Sequence, residues 1–228
     1  MVQIIKAKDI KERPLRLLIY GEAGAGKTTL IGTAPKPLLV IDFEAGADII
    51  FAGQEGVDIL PVYERKDLKE ALLWFRTQKQ YKTIAFDGFS IYAQQVLREI
   101  LDSRNKETAT FYEWNLLISH LKEVVLGLIK PTSCTIFTSL LRKTKDAQGN
   151  LVSMHPDLPH TVREYIKAVV DLVGIIYVNK TGERYVGFTS PKGVAEVKDR
   201  SGKLTDKEEP NITKILMKVY SHERKEGK

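Results

Sequence analysis

Gly21-Glu22-Ala23-Gly24-Ala25-Gly26-Lys27-Thr28 is the stretch on which the reading of this chain turns. It fits the spacing G-x-x-x-x-G-K-[ST] at every fixed position. Glycines let a backbone curl until successive N–H groups point inward at an anion. A helix opening at the end of the loop adds its positive end. Lys27 supplies a point charge for the β- and γ-phosphates, and the Thr28 hydroxyl is the ligand type that Mg²⁺ takes at this position. The flanks agree, because Leu15–Tyr20 reads as an apolar strand and Thr28–Thr33 begins a helix. The expected ligands are ATP and Mg²⁺, held by Gly21, Glu22, Ala23, Gly24, Ala25, Gly26, Lys27, Thr28 and Thr29. The bland alternative is a glycine turn with a lysine on its rim, and spacing and context together weigh against it.

Outward from the loop, apolar runs alternate with helical patterns. Pro37–Ile41 and Val57–Val62 read as strands, the first as a buried parallel one. Lys66–Gln80 reads as a helix with Leu68, Ala71, Leu72 and Phe75 on one face, and Asp67 with Glu70 resembles a helix-start box. Thr83–Phe86 is a strand that ends at Asp87, a carboxylate suited to the metal side of the site. Trp114, Leu117, Ile118, Leu121, Val125 and Leu128 mark a long amphipathic helix that Pro131 should stop. Cys134–Leu141 is a further strand, and Thr161 with Glu164 is expected to cap the next helix. Gly174–Asn179 and Arg184–Thr189 form a hairpin pattern around Lys180-Thr181-Gly182. The fold class expected is α/β, with a mostly parallel central sheet flanked by helices and an antiparallel C-terminal edge.

Composition sets the bounds. The 228 residues, 43% of them hydrophobic, are enough for one domain over residues 1–228, with a core of about 15–215 and a short basic C-terminal tail. No apolar run approaches the roughly 18 residues of a membrane span, and the start Met1–Lys6 lacks a signal-peptide pattern. Cys134 is the only cysteine, which excludes an internal disulfide and a cysteine zinc cluster. The expectation is a cytoplasmic protein without a membrane partner. A formal charge of +6 is compatible with a polyanionic partner, and equally with an ordinary basic enzyme.

Val40-Ile41-Asp42-Phe43-Glu44-Ala45-Gly46-Ala47-Asp48 follows the strand after the loop's helix. Here the chain resembles RecA, whose equivalent strand ends in a similar I-D-x-E-x-x-x-D pattern. The resemblance implies a RecA-like P-loop NTPase fold and makes Glu44 the carboxylate that polarises the attacking water. Without it, Asp42, Glu44 and Asp48 read equally well as a solvated loop. Thr135–Arg142 resembles the RecA strand that senses the γ-phosphate, with Leu140 where RecA has glutamine, so Ser139 and Arg142 are the substitutes to consider. Val197-Lys198-Asp199-Arg200-Ser201-Gly202 resembles the paired cations that RecA and DnaB-type helicases extend to a neighbour's γ-phosphate. On an extended segment Lys198 and Arg200 share one side, and Arg200 would act as an arginine finger. The bland reading of that pair is a charged turn. Length and landmarks over Leu15–Ile215 most resemble the Sak-type single-strand annealing ATPases of bacteriophages.

That resemblance implies single-stranded DNA as partner, a ring or filament of identical subunits with ATP at their interfaces, and a single-strand-binding protein as a further candidate partner. The DNA loops would be Asp102–Tyr112, carrying Arg104 and Lys106, and Arg142–His160, carrying Arg142, Lys143 and Lys145. Cations track phosphates and aromatics stack bases. Phe111, Tyr112 and Trp114 also read as a buried helix start, and for Trp114 that reading is preferred, because it lies on the apolar face. The alternatives are a small-molecule or nucleotide kinase, for which no arginine-rich lid is evident, and a weakly hydrolysing ATP switch or loader. A GTPase fits poorly, because Asn179-Lys180-Thr181-Gly182 has glycine where a guanine-reading aspartate should stand.

Overall fold

The computed structural model describes residues 13–78, 80–129, 133–190 and 192–221. Its strands are β1 (Arg16–Gly21), β2 (Leu38–Asp42), β3 (Val57–Pro61), β4 (Thr83–Asp87), β5 (Cys134–Lys145), β6 (Leu151–Pro156), β7 (Leu172–Val178), β8 (Arg184–Gly187) and β9 (Lys198–Asp199). Between them lie α1 (Lys27–Ile31), α2 (Ala47–Phe51), α3 (Arg65–Thr77), α4 (Phe89–Asp102), α5 (Phe111–Leu128) and α6 (His160–Val169), with α7 (Ile212–Tyr220) at the end. The strands form one sheet in the order β3-β2-β4-β5-β1-β7-β8. β1 pairs in parallel with β5 and β7, and β4 with β2 and β5. β8 and β9 run antiparallel to β7, and β6 antiparallel to the far end of β5. The α/β fold with an antiparallel C-terminal edge is therefore present.

The central strands are apolar at nearly every position because both faces of the sheet are covered. Along β1, Leu18 and Tyr20 pack into one core, with α3, α4, α5 and α6, while Leu17 and Ile19 pack into the other, with α1, α2 and α7. The first core is aromatic at its centre. Phe86 stacks on Phe43 with centroids 5.2 Å apart and meets Phe89 edge-on at 5.2 Å. At roughly 25 cal/mol per Å² of apolar area, burial on two faces is the main favourable contribution to folding.

Several local expectations need correction. Asp67 is not the cap of α3. It is the third helical residue, and its carboxylate reaches back to the amides of Tyr63 and Glu64 at 3.2 and 3.0 Å. Thr161 does not cap α6, which starts at His160 after Pro159, and Glu164 pairs with Lys167 at 2.8 Å instead. The working capping box is Thr110 with Glu113, at the head of α5. Arg142–His160 is not an open loop but the hairpin of β5 and β6. The C-terminal tail is helical through Tyr220, because Ile212, Ile215 and Leu216 bury one face of α7. Pro131 and the side chain of Phe75 lie outside the described residues. The Asn179 segment is the β7–β8 turn, where Asn179 Oδ1 accepts the amides of Thr181 and Glu183 at 2.9 Å each.

Asp171 fastens the segments at residues 13–16 and at Arg200 to the start of β7. Its side chain, 2% exposed, accepts Arg13 Nη2 at 2.5 Å, the Arg16 amide at 3.1 Å and Arg200 Nη1 at 3.0 Å. Burial pushes this carboxyl upward, but Arg13, the Arg16 amide and Arg200 outweigh burial and hold it below the usual range. A depressed folded value contributes stability above the ordinary aspartate pKa, and that contribution fades as pH falls through the folded value. Asp171→Asn should lower unfolding free energy by about 1–3 kcal/mol at pH 7. Urea titrations at neutral and acid pH check this, with the difference from wild type shrinking below about pH 4.

Candidate active site

The phosphate loop leaves β1 at Gly21, where the strand lies against β7. A Cβ placed on Gly21 would sit 2.5 Å from Ile176 Cγ2 and 2.7 Å from the Ile176 carbonyl oxygen, so only glycine fits. Gly24 and Gly26 take φ of 74° and 96°, the left-handed region, and Gly26 turns the chain into α1. Lys27 is buried, with its amine donating to the carbonyls of Gly21 at 3.3 Å and Glu22 at 3.0 Å. Burial lowers its pKa, while Glu44 and Asp87 oppose that shift.

Thr28 and Asp87 meet. Thr28 Oγ1 donates to Asp87 Oδ2 at 2.6 Å, and Thr138 Oγ1, from β5, donates to Asp87 Oδ1 at 2.5 Å. Asp87 is 1% exposed, and burial raises its pKa against the pull of the two hydroxyls. A hydroxyl, a carboxylate and a buried ammonium at the mouth of an inward-curled loop fit a magnesium–triphosphate complex. Thr28 and Asp87 would hold the ion, directly or through water, and Lys27 would meet the phosphates. An ion held there would neutralise negative charge on the triphosphate.

Glu44 is brought to the same place by a turn that Asp42 organises. The Asp42 carboxylate, 4% exposed, accepts the amides of Glu44 at 2.9 Å and Ala47 at 3.0 Å. The Phe43 amide donates to the Asp87 carbonyl at 3.1 Å, tying β2 to β4. Glu44 then lies across Gly88, where an added Cβ would come within 2.6 Å of its Cγ. Burial raises the Glu44 pKa first, Asp87 adds to the rise, and Lys27 opposes it. Lys27, Asp87 and Glu44, far apart in sequence, thus share one electrostatic site.

The remaining expected residues have other partners. Lys198 and Arg200 do face one side, but it is the C-terminus of α6. Lys198 Nζ donates to the carbonyls of Lys167 and Val170 at 2.5 and 2.7 Å, and Arg200 binds Asp171. β9 pairs with Leu172 and Val173 of β7, four and three residues short of Ile176, which lies beside Gly21. The pair therefore sits at the end of the sheet away from its own phosphate loop. Arg104 and Lys106 both bind the fully buried Glu113, at 2.9 and 2.7 Å, and Lys106 with Thr110 holds its carboxyl far below the usual range. Arg142 pairs with Asp157 at 3.1 Å, Lys143 contacts Glu22 of the phosphate loop, and Lys145 ends β5.

Two contributors escaped the sequence reading. Arg184 of β8 donates its Nε to the Ala25 carbonyl at 3.2 Å, bracing the loop from the antiparallel edge. Ser90 links to Ser139 at 2.7 Å and accepts the Leu140 amide at 2.9 Å. The hydroxyls Thr138 and Ser139, interrupting an apolar run, were the available signal for the second, whereas nothing local marks Arg184.

A sequence family described as an AAA domain matches residues 13–201, which include the phosphate loop, Glu44, Asp87 and Arg200. The chain belongs to the AAA domain family. It is a P-loop ATPase by that membership and by the loop it carries. No curated protein matches it. Among solved structures it is similar to a KaiC-like protein of the hyperthermophilic archaeon Pyrococcus horikoshii OT3, 16% identical over 76% of this chain and 77% of that one, with a TM-score of 0.47. No helix among the described residues is long and apolar enough to cross a membrane.

The buried ammonium gives a direct test of this ATPase site. Lys27→Ala should weaken ATP binding roughly 10- to 150-fold, the equivalent of ~1.5–3 kcal/mol for hydrogen bonds to a charged group. Calorimetric titration with Mg²⁺ and ATP reads the loss, and circular dichroism checks that the fold persists.

Proposed function

We propose that this ATPase hydrolyses ATP in the service of single-stranded DNA, in recombination or strand annealing, as an assembly of identical subunits with ATP at their interfaces. The observation that carries the reading is β5. One end of this strand holds Asp87 through Thr138, and the other runs out into a hairpin bearing Arg142, Lys143 and Lys145. A strand of DNA on that hairpin would lie on the same rigid element as the metal-side carboxylate. Lys143, in contact with Glu22, already connects the hairpin to the phosphate loop. Exposed rings extend the surface, since Phe111 is 83% and Tyr112 53% exposed. Arg104 lies over the Tyr112 ring at 4.6 Å.

In this reading Glu44 accepts a proton from the attacking water, while Lys27 holds charge developing on the transferred phosphoryl group. Arg200, half exposed at the far end of the sheet, is the group available to a neighbouring subunit, on release from Asp171. Lys198 stays as the cap of α6. A kinase is the second reading. What favours it is a cavity of about 810 Å³ beside Glu22–Ala25, with Leu141, Met154, Ile175 and Tyr177 on its walls, large enough for a phosphoryl acceptor.

Turnover measured with and without oligo(dT), across protein concentration, separates the two. Stimulation by DNA and a rate per subunit that rises with concentration support the proposal, whereas turnover that needs a small acceptor supports the kinase. Glu44→Gln should keep ATP binding and lower turnover about 10²–10⁴-fold. Because Glu44 must be ionised to act and its pKa is raised, the acid limb of wild-type turnover should lie above the ordinary glutamate range of about 4.3. An acid limb unmoved in Glu44→Gln would assign that titration to another group.

A further inference from the structure

Behind the hairpin lies a second cavity, of about 430 Å³, bounded by α4, α5, the base of β5 and β6, and the first turn of α6. That size falls within the roughly 300–1,000 Å³ of small-molecule sites. Trp114 forms part of its wall, and Ser90, Gln94, Arg142, His155 and Arg163 bring polar groups to it. Trp114 is 40% exposed although it lies on the helix face that the sequence reads as buried. Arg163 is nine-tenths buried and its Nη1 pairs with Glu196 at 3.1 Å, while its Nε has no hydrogen-bond partner among the described residues. Phe111, three residues before Trp114 on the first turn of α5 and so on its side of the helix, is 83% exposed.

We propose that this cavity receives one unstacked base of a single strand, with Trp114 as its stacking face and Arg142 and Arg163 meeting the strand's phosphate or the base's acceptor edge. The proposal rests on the DNA reading above and adds where a base enters and what it touches. A tryptophan face beside two cations suits a base with its phosphate better than an isolated anion, since every base has a face to stack while its phosphates seek cations. The pocket also adjoins the ATPase site. Ser90 on its wall bonds Ser139 and the Leu140 amide, and the preceding residue of β5, Thr138, holds Asp87 and accepts the Gly88 amide at 2.9 Å. A base pressing on Ser90 is thereby two residues of β5 from the metal-side carboxylate.

Trp74 and Trp114 are the only tryptophans, so Trp74→Phe leaves Trp114 as sole reporter. Oligo(dT) is titrated into this protein with a non-hydrolysable ATP analogue, following tryptophan emission and, in parallel, the anisotropy of labelled oligo(dT). The expected result is quenching of Trp114 that saturates together with the anisotropy. Trp114→Ala should weaken binding about 5- to 150-fold, which is the ~1–3 kcal/mol of one stacked base. Trp114→Phe, which keeps a ring, should recover most of the affinity. Ser90→Ala should keep DNA affinity and lose the stimulation of turnover. If oligo(dT) binds by anisotropy while Trp114 emission is unchanged and Trp114→Ala binds normally, the base pocket is overturned and the DNA reading stands. If neither signal shows binding, both are overturned.

Discussion

The carboxylate of Asp87 is the constraint around which the site is built. It is buried at the carboxyl end of β4, where an unpaired charge would be too costly to keep. Two hydroxyls solve the problem from opposite sides, Thr28 from the first turn after the phosphate loop and Thr138 from the neighbouring strand. The same two bonds therefore fix the loop's helix, β4 and β5 in one register. Gly88, which must follow with φ of 94°, starts α4 and leaves room for Glu44. Any side chain at position 88 would displace the acid that the neighbouring turn has been shaped to present.

That arrangement depends in turn on a sheet covered on both faces. Parallel strands end at the same edge, so Gly21, Asp42 and Asp87 emerge together, each at the carboxyl end of an apolar strand. Within the strands, residues alternate between two separate cores, and a one-residue slip of β4 against β5 would carry Phe86 out of the aromatic cluster and Asp87 away from Thr138. The packing that stabilises the fold thus also fixes the catalytic distances.

Much of this is legible in the sequence because it is local. The phosphate loop is a contiguous pattern whose glycines answer to backbone geometry, and Asp87 ends a short apolar run. Glu44 is legible only through resemblance, since its place depends on a turn that Asp42 closes and on a glycine more than forty residues away. The start of α5 misleads because apolar periodicity predicts burial, yet Phe111, Tyr112 and Trp114 stay exposed while a glutamate, Glu113, is buried between two cations. Hydrophobic pattern and burial part company there because ion pairing, not apolar packing, seals that end of the helix. Arg184 and the partners of Lys198 are contacts between distant segments, which no spacing encodes.

Leu140 stands where the resemblance implies a side-chain amide that senses the γ-phosphate. In the structure β5 instead meets α4 and the metal side through its backbone and its hydroxyls. The Leu140 amide donates to Ser90, Ser139 pairs with Ser90, and Thr138 bonds Asp87, so consecutive residues of β5 face α4 and the metal side in turn. Beyond Leu140 the strand continues into the hairpin, and Lys143 folds back to Glu22 on the phosphate loop. The hairpin and the loop are therefore joined twice, once along the strand and once through an ion pair at its rim. The rim pair is half exposed and weak. Lys143 can therefore leave Glu22 at small cost, while the buried hydroxyl network keeps Asp87 in place. A leucine at position 140 leaves that network intact, because its backbone amide rather than a side chain makes the bond to Ser90.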